Sequence, residues 1–536
     1  MSLSTRLISC GALALAVLGA AGFLPSAPSE TPRDGGTLVY GEAGEPSDLN
    51  CVRTSESPAV QICRWVGDTL LAYDANNEVV PRLASSSEFA PDGRTVTLHL
   101  RRGVRWHDGK PFTAEDVLYT IRQIRDPKAL VRGTLASLFE PLESITAPDP
   151  FTIVSRFREP YALAAQAWVK ATILPAHLPF EPGAVAPTDR RPIGTGPFKF
   201  VRWDAQEKIV LEANPDYFLG RPHLDRIIVR YIPDPHTRSV AGLSGDVDVT
   251  NLSIGDVPSS DSGLPVRLMT VPLNSIDLVM WNVREPRNLF ADARVRKALA
   301  IGFDRVGSSS LIWKGTARPA TSTFIPESWA HDRNLTPLPY DPARARKLLG
   351  EAGWRDRDGD GILDTTSGPA AFTLDYPAGR PSMESLALLI QTSFKQLGLD
   401  VRLQPIEPQA LRTRVRAHQF EAAIWLWGLE ADPDPSDFFA TSRFAVGQNF
   451  GGYSSAEMDR LMEKGRGTKD RAEREKIYHR IEALLQDEQP YMFVAHESGV
   501  VALNRRLKGI ELGSAGFLAY PAPVSWWLEP PATAAK

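Results

Sequence analysis

Ala371–Tyr376 (AFTLDY), Met383–Leu397 (MESLALLIQTSFKQL), Leu399–Leu403 (LDVRL), Pro408–His418 (PQALRTRVRAH) and Phe420–Trp427 (FEAAIWLW) follow one another with almost nothing between them. The first, third and fifth segments have the length and apolar content of buried strands, and the second repeats its apolar residues at helical spacing. Gly398 follows that helix as a stop signal. Strand, helix, strand, helix, strand in short succession predicts a parallel sheet covered by helices, and hence an α/β fold.

Working outward, two more helices announce their starts. Asp341-Pro342 places a capping side chain before a proline at the first helical position, and Ser454-Ser455-Ala456-Glu457 reads as a capping box. Upstream, Gly35-Gly36 leads into a strand at Thr37–Tyr40, and residues 94–100 and 226–232 alternate with the period of half-buried strands. Thr113 caps a helix whose first turn carries Glu115 and Asp116, where carboxylates complement the helix dipole. No internal repeat and no low-complexity linker divides the chain. With 536 residues it is too long for one core, so two or three lobes linked by crossing strands are expected.

The N-terminus has a different character. Arg6 precedes an uncharged run, Leu7 to Leu24, rich in Ala, Gly and Leu, and the prolines at 25–32 end it. This is the pattern of a secretory signal, assigned to residues 1–27, with an uncleaved anchor as the other reading of the same run. No second run of this kind follows. Lys plus Arg is 60 against 64 for Asp plus Glu, a mildly acidic balance that argues against a nucleic-acid binder. Of three cysteines, Cys10 leaves with the signal, so Cys51 and Cys63 remain. In an exported chain they read as a disulfide contributing about 3 kcal/mol, the alternative being two buried thiols.

Catalytic signatures are missing. There is no Gly-x-Ser-x-Gly elbow and no His-Glu-x-x-His helix, and the nine histidines are scattered. Gly194-Thr195-Gly196-Pro197 looks like a phosphate loop, but its proline lacks the amide that a phosphate needs. Asp356, Asp358, Asp360 and Asp364, with Gly361 between, resemble the start of a calcium loop. Position twelve is Ser367, not glutamate, so an Asp/Gly turn competes with a weak metal site.

Several phrases together resemble the extracellular solute-binding proteins of family 5, the dipeptide, oligopeptide and nickel group serving ABC importers. They are Gly35–Leu38, Glu78–Ala84, Pro91–Arg94 leading through Leu98–Val117, Gly194–Phe198, Asn214–Phe218, Asp292–Leu299 with Asp304-Arg305, and Tyr340–Pro342 with Ala345–Gly353. They run in order from about 35 to about 505. The resemblance implies a two-lobed, periplasmic-binding-protein-like α/β fold of type II, its lobes joined by a two-strand hinge. The first lobe would be about 35–272 plus 495–536, with an extra subdomain near 76–190, and the second about 273–494. It further implies a periplasmic, monomeric receptor without cofactor. Such a receptor catches a small peptide or similar amine-and-carboxylate solute, hands it to an inner-membrane permease and performs no chemistry. Other cargo (a nickel complex, haem, an opine, a sugar), a sensor's receptor or an exported enzyme are the alternatives.

In peptide-binding relatives an Asp in a Trp-Gly-x-Asp-x-Pro-Asp-Pro loop holds the peptide ammonium. Here Trp425-Leu426-Trp427-Gly428-Leu429-Glu430-Ala431-Asp432-Pro433-Asp434-Pro435 has Ala431 at the acidic position. Glu430, Asp432 or neither then meets an amine. Trp425 and Trp427 share one sheet face, lining either cleft or core. Arg380 corresponds to an arginine that holds a ligand carboxylate, for which a planar guanidinium is suited. Ser55 and Glu56, inside the Cys51–Cys63 ring, would face the cleft from the first lobe.

Overall fold

The computed structural model describes residues 31–54, 56–74, 78–129, 131, 135–178, 187–287, 289–429, 432–445, 447–510 and 523–530. The signal segment, Ser55, Glu430 and Ala431 lie outside the described residues.

The segment 371–427 folds as its pattern demands. Strands Ala371–Pro377, Asp400–Ile406 and Ala422–Gly428 alternate with helices Pro381–Lys395 and Pro408–Arg416. The strands pair in parallel, Ala371 opposite Asp400 and Leu374 opposite Ala422. The first helix begins at Pro381, two residues before its apolar repeat, because proline's fixed φ suits the first turn and its missing N–H would be unpaired there anyway. Gly398 then reverses the chain at φ +86°, a left-handed conformation that disfavours a side chain, and an added Cβ would meet Leu363 at 3.0 Å. The downstream helix is capped one residue later than expected. Ser455 accepts from the Met458 amide at 3.4 Å and precedes Ala456–Gly467, so Ser454 and Glu457 do not form a capping box. Ser454 instead meets the Thr441 hydroxyl, and Glu457 pairs with Arg480.

These strands belong to one eleven-stranded sheet. Its main path runs Asp400–Ile406, Ala371–Pro377, Ala422–Gly428, Val266–Trp281, Tyr491–Asn504, Val249–Leu252, Thr37–Glu42, Arg226–Tyr231, Lys208–Ala213 and Phe198–Asp204. Two long strands occupy the middle. Val266–Pro272 pairs with Ser498–Asn504, and after an irregularity Ile276–Met280 pairs with Tyr491–His496. The 491–504 strand also pairs with Val249–Leu252 on one side, and the 266–281 strand pairs with Ala422–Gly428 on the other. The two long strands therefore run through both halves of the sheet.

Each half has its own core. Around the 371–427 segment, Val279, Leu374 and Ile424 face Ile390 and Phe394 on one side, while Leu278, Trp427 and Phe493 face Met458, Tyr478 and Leu485 on the other. In the first half, Leu38, Ile227, Val229 and Leu503 pack with Trp65. Each of these fully buried side chains contributes roughly 1.5–3 kcal/mol. A separate four-stranded sheet, ordered Ala84–Phe89, Thr95–Leu100, Thr152–Phe157, Leu142–Asp149, carries the helix Ala114–Arg125. That helix starts at a full capping box between Thr113 and Asp116. Its core holds Trp106, Phe112, Ile121, Phe139 and Trp168. Cys51 and Cys63 form a disulfide with their Cα atoms 5.6 Å apart.

Candidate functional site

Strand register locates the site. In the first half, the parallel strands end on the 491–504 strand at Leu252 opposite Val500. In the second half, the parallel strand 422–428 ends at Gly428 opposite Ser275, next to Ile276 opposite His496. The carboxyl ends of both sets of parallel strands thus converge on residues 496–500 of the crossing pair. Open α/β sheets place ligands outside those ends.

On the first-half side, Glu45, Pro46, Ser47, Glu56, Arg190, Ala205 and Gln206 line an open cavity of about 620 Å³. Glu45 is fixed by the Trp203 indole N–H at 2.6 Å and the Gln206 amide at 3.0 Å. Arg190 lies over the Trp203 ring, 5.1 Å from its centroid. Glu56 precedes the helix Ser57–Val66 and accepts from the Ser47 amide and hydroxyl at 2.8 and 2.6 Å. The disulfide and a buried Arg53–Asp189 ion pair anchor the loop that carries Glu56. Glu45 and Arg190 escaped the sequence reading, because nothing local to them says that residues 45, 56, 190 and 206 meet.

On the second-half side, Arg380 stands at the end of the 371–377 strand, just before its helix. Its guanidinium is 3.7 Å from Glu497 and its side chain is 41% exposed. Glu497 also accepts from the Trp313 indole at 3.4 Å. Behind it lies Asp277, fully buried, with neither carboxyl oxygen receiving a hydrogen bond from a donor side chain or amide. Burial, with Glu497 adding to it, pushes the Asp277 carboxyl well above the ordinary range, while Arg380 pulls it back. Asp277 and Glu497 are therefore an acid pair hydrogen-bonded to each other only when one carries a proton. The sequence does carry a signal for both: each interrupts an apolar strand, Ile276-Asp277-Leu278-Val279 and Val494-Ala495-His496-Glu497. His496 faces away from this pair, and burial pushes its imidazole down to about 4.

The loop after Trp427 is built differently. Trp425 and Trp427 do share a face, but Trp427 is core, stacked on Phe438 at 4.1 Å and edge-on to Tyr491. Trp425 is half-buried against Phe450. Asp432 is gripped by Arg474 through two hydrogen bonds of 2.6 and 2.8 Å. Arg474 also donates to the Gly465 carbonyl and the Tyr478 hydroxyl. Asp434 accepts from the Ser436 hydroxyl and amide. Burial raises the Asp434 carboxyl despite those bonds. Tyr161, from beside the four-stranded sheet, feels the charges of both aspartates.

Here the halves touch. Lys469 donates to the carbonyls of Ala90 and Pro91 at 2.6 Å each, Arg471 pairs with Glu78, and the Ala162 amide donates to the Arg466 carbonyl at 3.1 Å. Elsewhere Lys314 reaches the Gly255 carbonyl at 2.9 Å.

In the calcium-like loop, oxygens of Asp356, Asp358 and Asp364 lie within 4.8 Å of one another, and Asp360 is not among them. Asp356 accepts from the Gly359 and Gly361 amides, and Asp364 from that of Arg357. Those bonds hold the Asp/Gly turn, and three of the four aspartates of the calcium-like pattern meet in it. Among the described residues, no helix is long and apolar enough to cross a membrane.

Comparison with known proteins fits this geometry. Solved structures superpose over nearly the whole chain. The oligopeptide-binding protein AppA of Bacillus subtilis, in complex with a nonapeptide, aligns with a TM-score of 0.78 at 29% identity, covering 93% of this chain and 100% of that one. NikZ of Campylobacter jejuni, in complex with Ni(L-His), gives 0.78 at 25% identity, covering 92% and 99%. By sequence AppA is 31% identical over 493 residues, 89% of each chain. Heme-binding protein A of Haemophilus influenzae is 27% identical, covering 83% of this chain and 84% of its own. The two-lobed α/β fold is thereby shared. Residues 78–450 match the profile of bacterial extracellular solute-binding proteins, family 5 (middle), and the chain belongs to that family.

Proposed function

We propose that this solute-binding protein is the peptide receptor of an ABC importer, exported by a signal peptide cleaved after about residue 27, working as a monomer and catalysing nothing. Its lobes would be about 35–272 plus 495–536, with a subdomain near 76–190, and about 273–494. The 266–281 and 491–504 strands would act as the hinge, closing the lobes on a solute that touches both. One observation carries this reading: carboxylates and guanidinium groups stand at the facing strand ends of both halves. Glu45, Glu56 and Arg190 supply one side, and Arg380 with Glu497 the other. Such a pair of patches fits a solute with an ammonium and a carboxylate, as an unblocked peptide has, and AppA was solved with a nonapeptide. In the loop 425–435, Asp432 is already neutralised by Arg474, so Glu56 or Glu430 is the better partner for the ammonium, and Trp425 flanks it.

The test is thermal melting of the purified protein with free di- to nonapeptides, alongside native mass spectrometry of the unheated protein. A bound peptide raises the melting temperature with concentration. If no peptide does so and nickel–histidine or haem does, the cargo is the other kind, which NikZ and heme-binding protein A make the second reading. Conversion of the bound solute would overturn the receptor reading altogether.

A further inference from the structure

The four-stranded sheet and its helix are tied to the first half by main-chain bonds. Leu83 and Ala84 donate to the Thr69 and Leu70 carbonyls, Ile173 to that of Asp68, and His107 to that of Gly194. This subdomain therefore moves with the first half, and its bonds to the second half bridge the two. Those bonds gather around one turn, residues 468–470, between the helices Ala456–Gly467 and Arg471–Glu488. The turn is fastened at both ends. The Thr468 hydroxyl donates to the Lys464 carbonyl at 2.7 Å, and Asp470 accepts from the Glu473 amide at 2.9 Å. Lys469 leaves it to donate to the Ala90 and Pro91 carbonyls, its stem crossing Gly93. Gly93 has φ +70°, and an added Cβ would lie 2.5 Å from Lys469 Cε, so both backbone and space require glycine there. The Tyr161 amide closes on the Gly93 carbonyl at 2.9 Å, and the next residue, Ala162, donates to Arg466. On the other side of the turn, Arg471 pairs with Glu78.

We propose that the 468–470 turn is a latch that works without solute: Lys469 and Arg471 hold the two halves closed before any solute arrives. Both side chains are exposed, so neither belongs to a core, and the partners of both lie on the other half. Contacts that exist only in the closed arrangement favour it whether or not the cleft is filled. They reduce the free energy that a solute must supply to close the halves, so every solute binds tighter by one common factor. They must also break before a solute leaves, which slows release. One ammonium on two carbonyls and one exposed ion pair make a latch weak enough to reopen. Its place is fixed from the candidate site. Arg474, three residues after Arg471, holds Asp432 with two nitrogens and donates to the Gly465 carbonyl at 2.9 Å with the third. Arg474 is thus a positioning residue, setting the turn relative to the loop 425–435.

The latch presupposes two halves that open and close, which is the receptor reading, and one arm of its test needs no solute. Spin labels on Glu88→Cys and Glu463→Cys, both exposed and one on each side of the contact, report the separation by pulsed electron resonance. The protein is stripped of solute by unfolding and refolding. Without solute the wild type should show a short-distance population. Lys469→Ala and Arg471→Glu should each move that population to longer distance, and Arg471→Glu with Glu78→Arg should bring it back. A wild type that shows only the long distance, or variants that keep the short one, overturn the latch. In the second arm a set of tetrapeptides is titrated calorimetrically against wild type and Lys469→Ala. The variant should weaken all of them by one factor, about three- to tenfold. Losses that differ from peptide to peptide would mean that Lys469 touches the solute, and unchanged affinities that the contact does not bias closure; either overturns the latch. If no tetrapeptide binds the wild type, the peptide reading falls, and the distance arm alone decides the latch.

Discussion

Two arginine–carboxylate pairs sit at the inner edge of the second half, and they are built to opposite ends. Arg474 grips Asp432 with both nitrogens, donates further to Gly465 and Tyr478, lies over Trp329, and is only 8% exposed. Arg380 faces Glu497 at 3.7 Å, has no second salt-bridge partner among the described residues, and is 41% exposed. The first pair is a fastening: all three guanidinium nitrogens donate to protein groups, and the side chain is buried. The second is an opening, because a charged fork left half-satisfied at a strand end is available to a solute. Charge type alone does not separate them. Saturation of the hydrogen bonds does.

The sharpest way to break this contrast is to remove each arginine. Arg474→Met leaves Asp432 unpaired and largely buried, and should cost about 3–5 kcal/mol in urea unfolding. Reduction-proof removal of the disulfide, Cys51→Ser with Cys63→Ser, comes next at about 3 kcal/mol, and tests whether the loop of Glu56 depends on its anchor. Arg380→Ala should change stability by less than about 1 kcal/mol, yet weaken peptide binding by about tenfold or more, read by calorimetry. If Arg380→Ala unfolds the protein as Arg474→Met does, the distinction between the two pairs is void.

The smallest effect is expected at a third pair, Asp375 with Arg414, 2.9 Å apart. Burial pushes the Asp375 carboxyl up to about 6, although Arg414 pulls the other way. The folded protein therefore holds more protons than the unfolded chain between about pH 4 and 6, and stability from this group falls as pH rises through that window. Asp375→Asn should abolish the effect, so its melting temperature relative to wild type rises from pH 4 to 6. A flat difference would mean that Arg414 already neutralises the site.

The strands and helices of 371–427 were legible because proline, glycine and apolar spacing act locally, and even there the ends moved by a residue or two. Ser455 caps where Ser454 was expected, since both serines satisfy the local pattern and only the path of the preceding chain chooses between them. The candidate site was legible only in part. Arg380 stands just before a helix as expected, while Asp432 is consumed by an arginine forty-two residues away that no local pattern connects to it. Glu430 and Ser55 lie outside the described residues. Asp277 and Glu497 were visible as charges inside apolar strands, but their meeting is set by the register of two strands far apart in the chain.

That register also dictates an order of events. Asp248 and Asn504 share a hydrogen bond at 3.0 Å although 256 residues separate them. The strand Val249–Leu252, made in the first half of synthesis, finds its neighbour only when 491–504 is complete. Until then the first half presents a bare sheet edge, the kind of surface that recruits other chains. A chain made N-terminus first must therefore keep that edge guarded until its tail arrives, so truncation near residue 490 should yield an aggregate and not a smaller receptor.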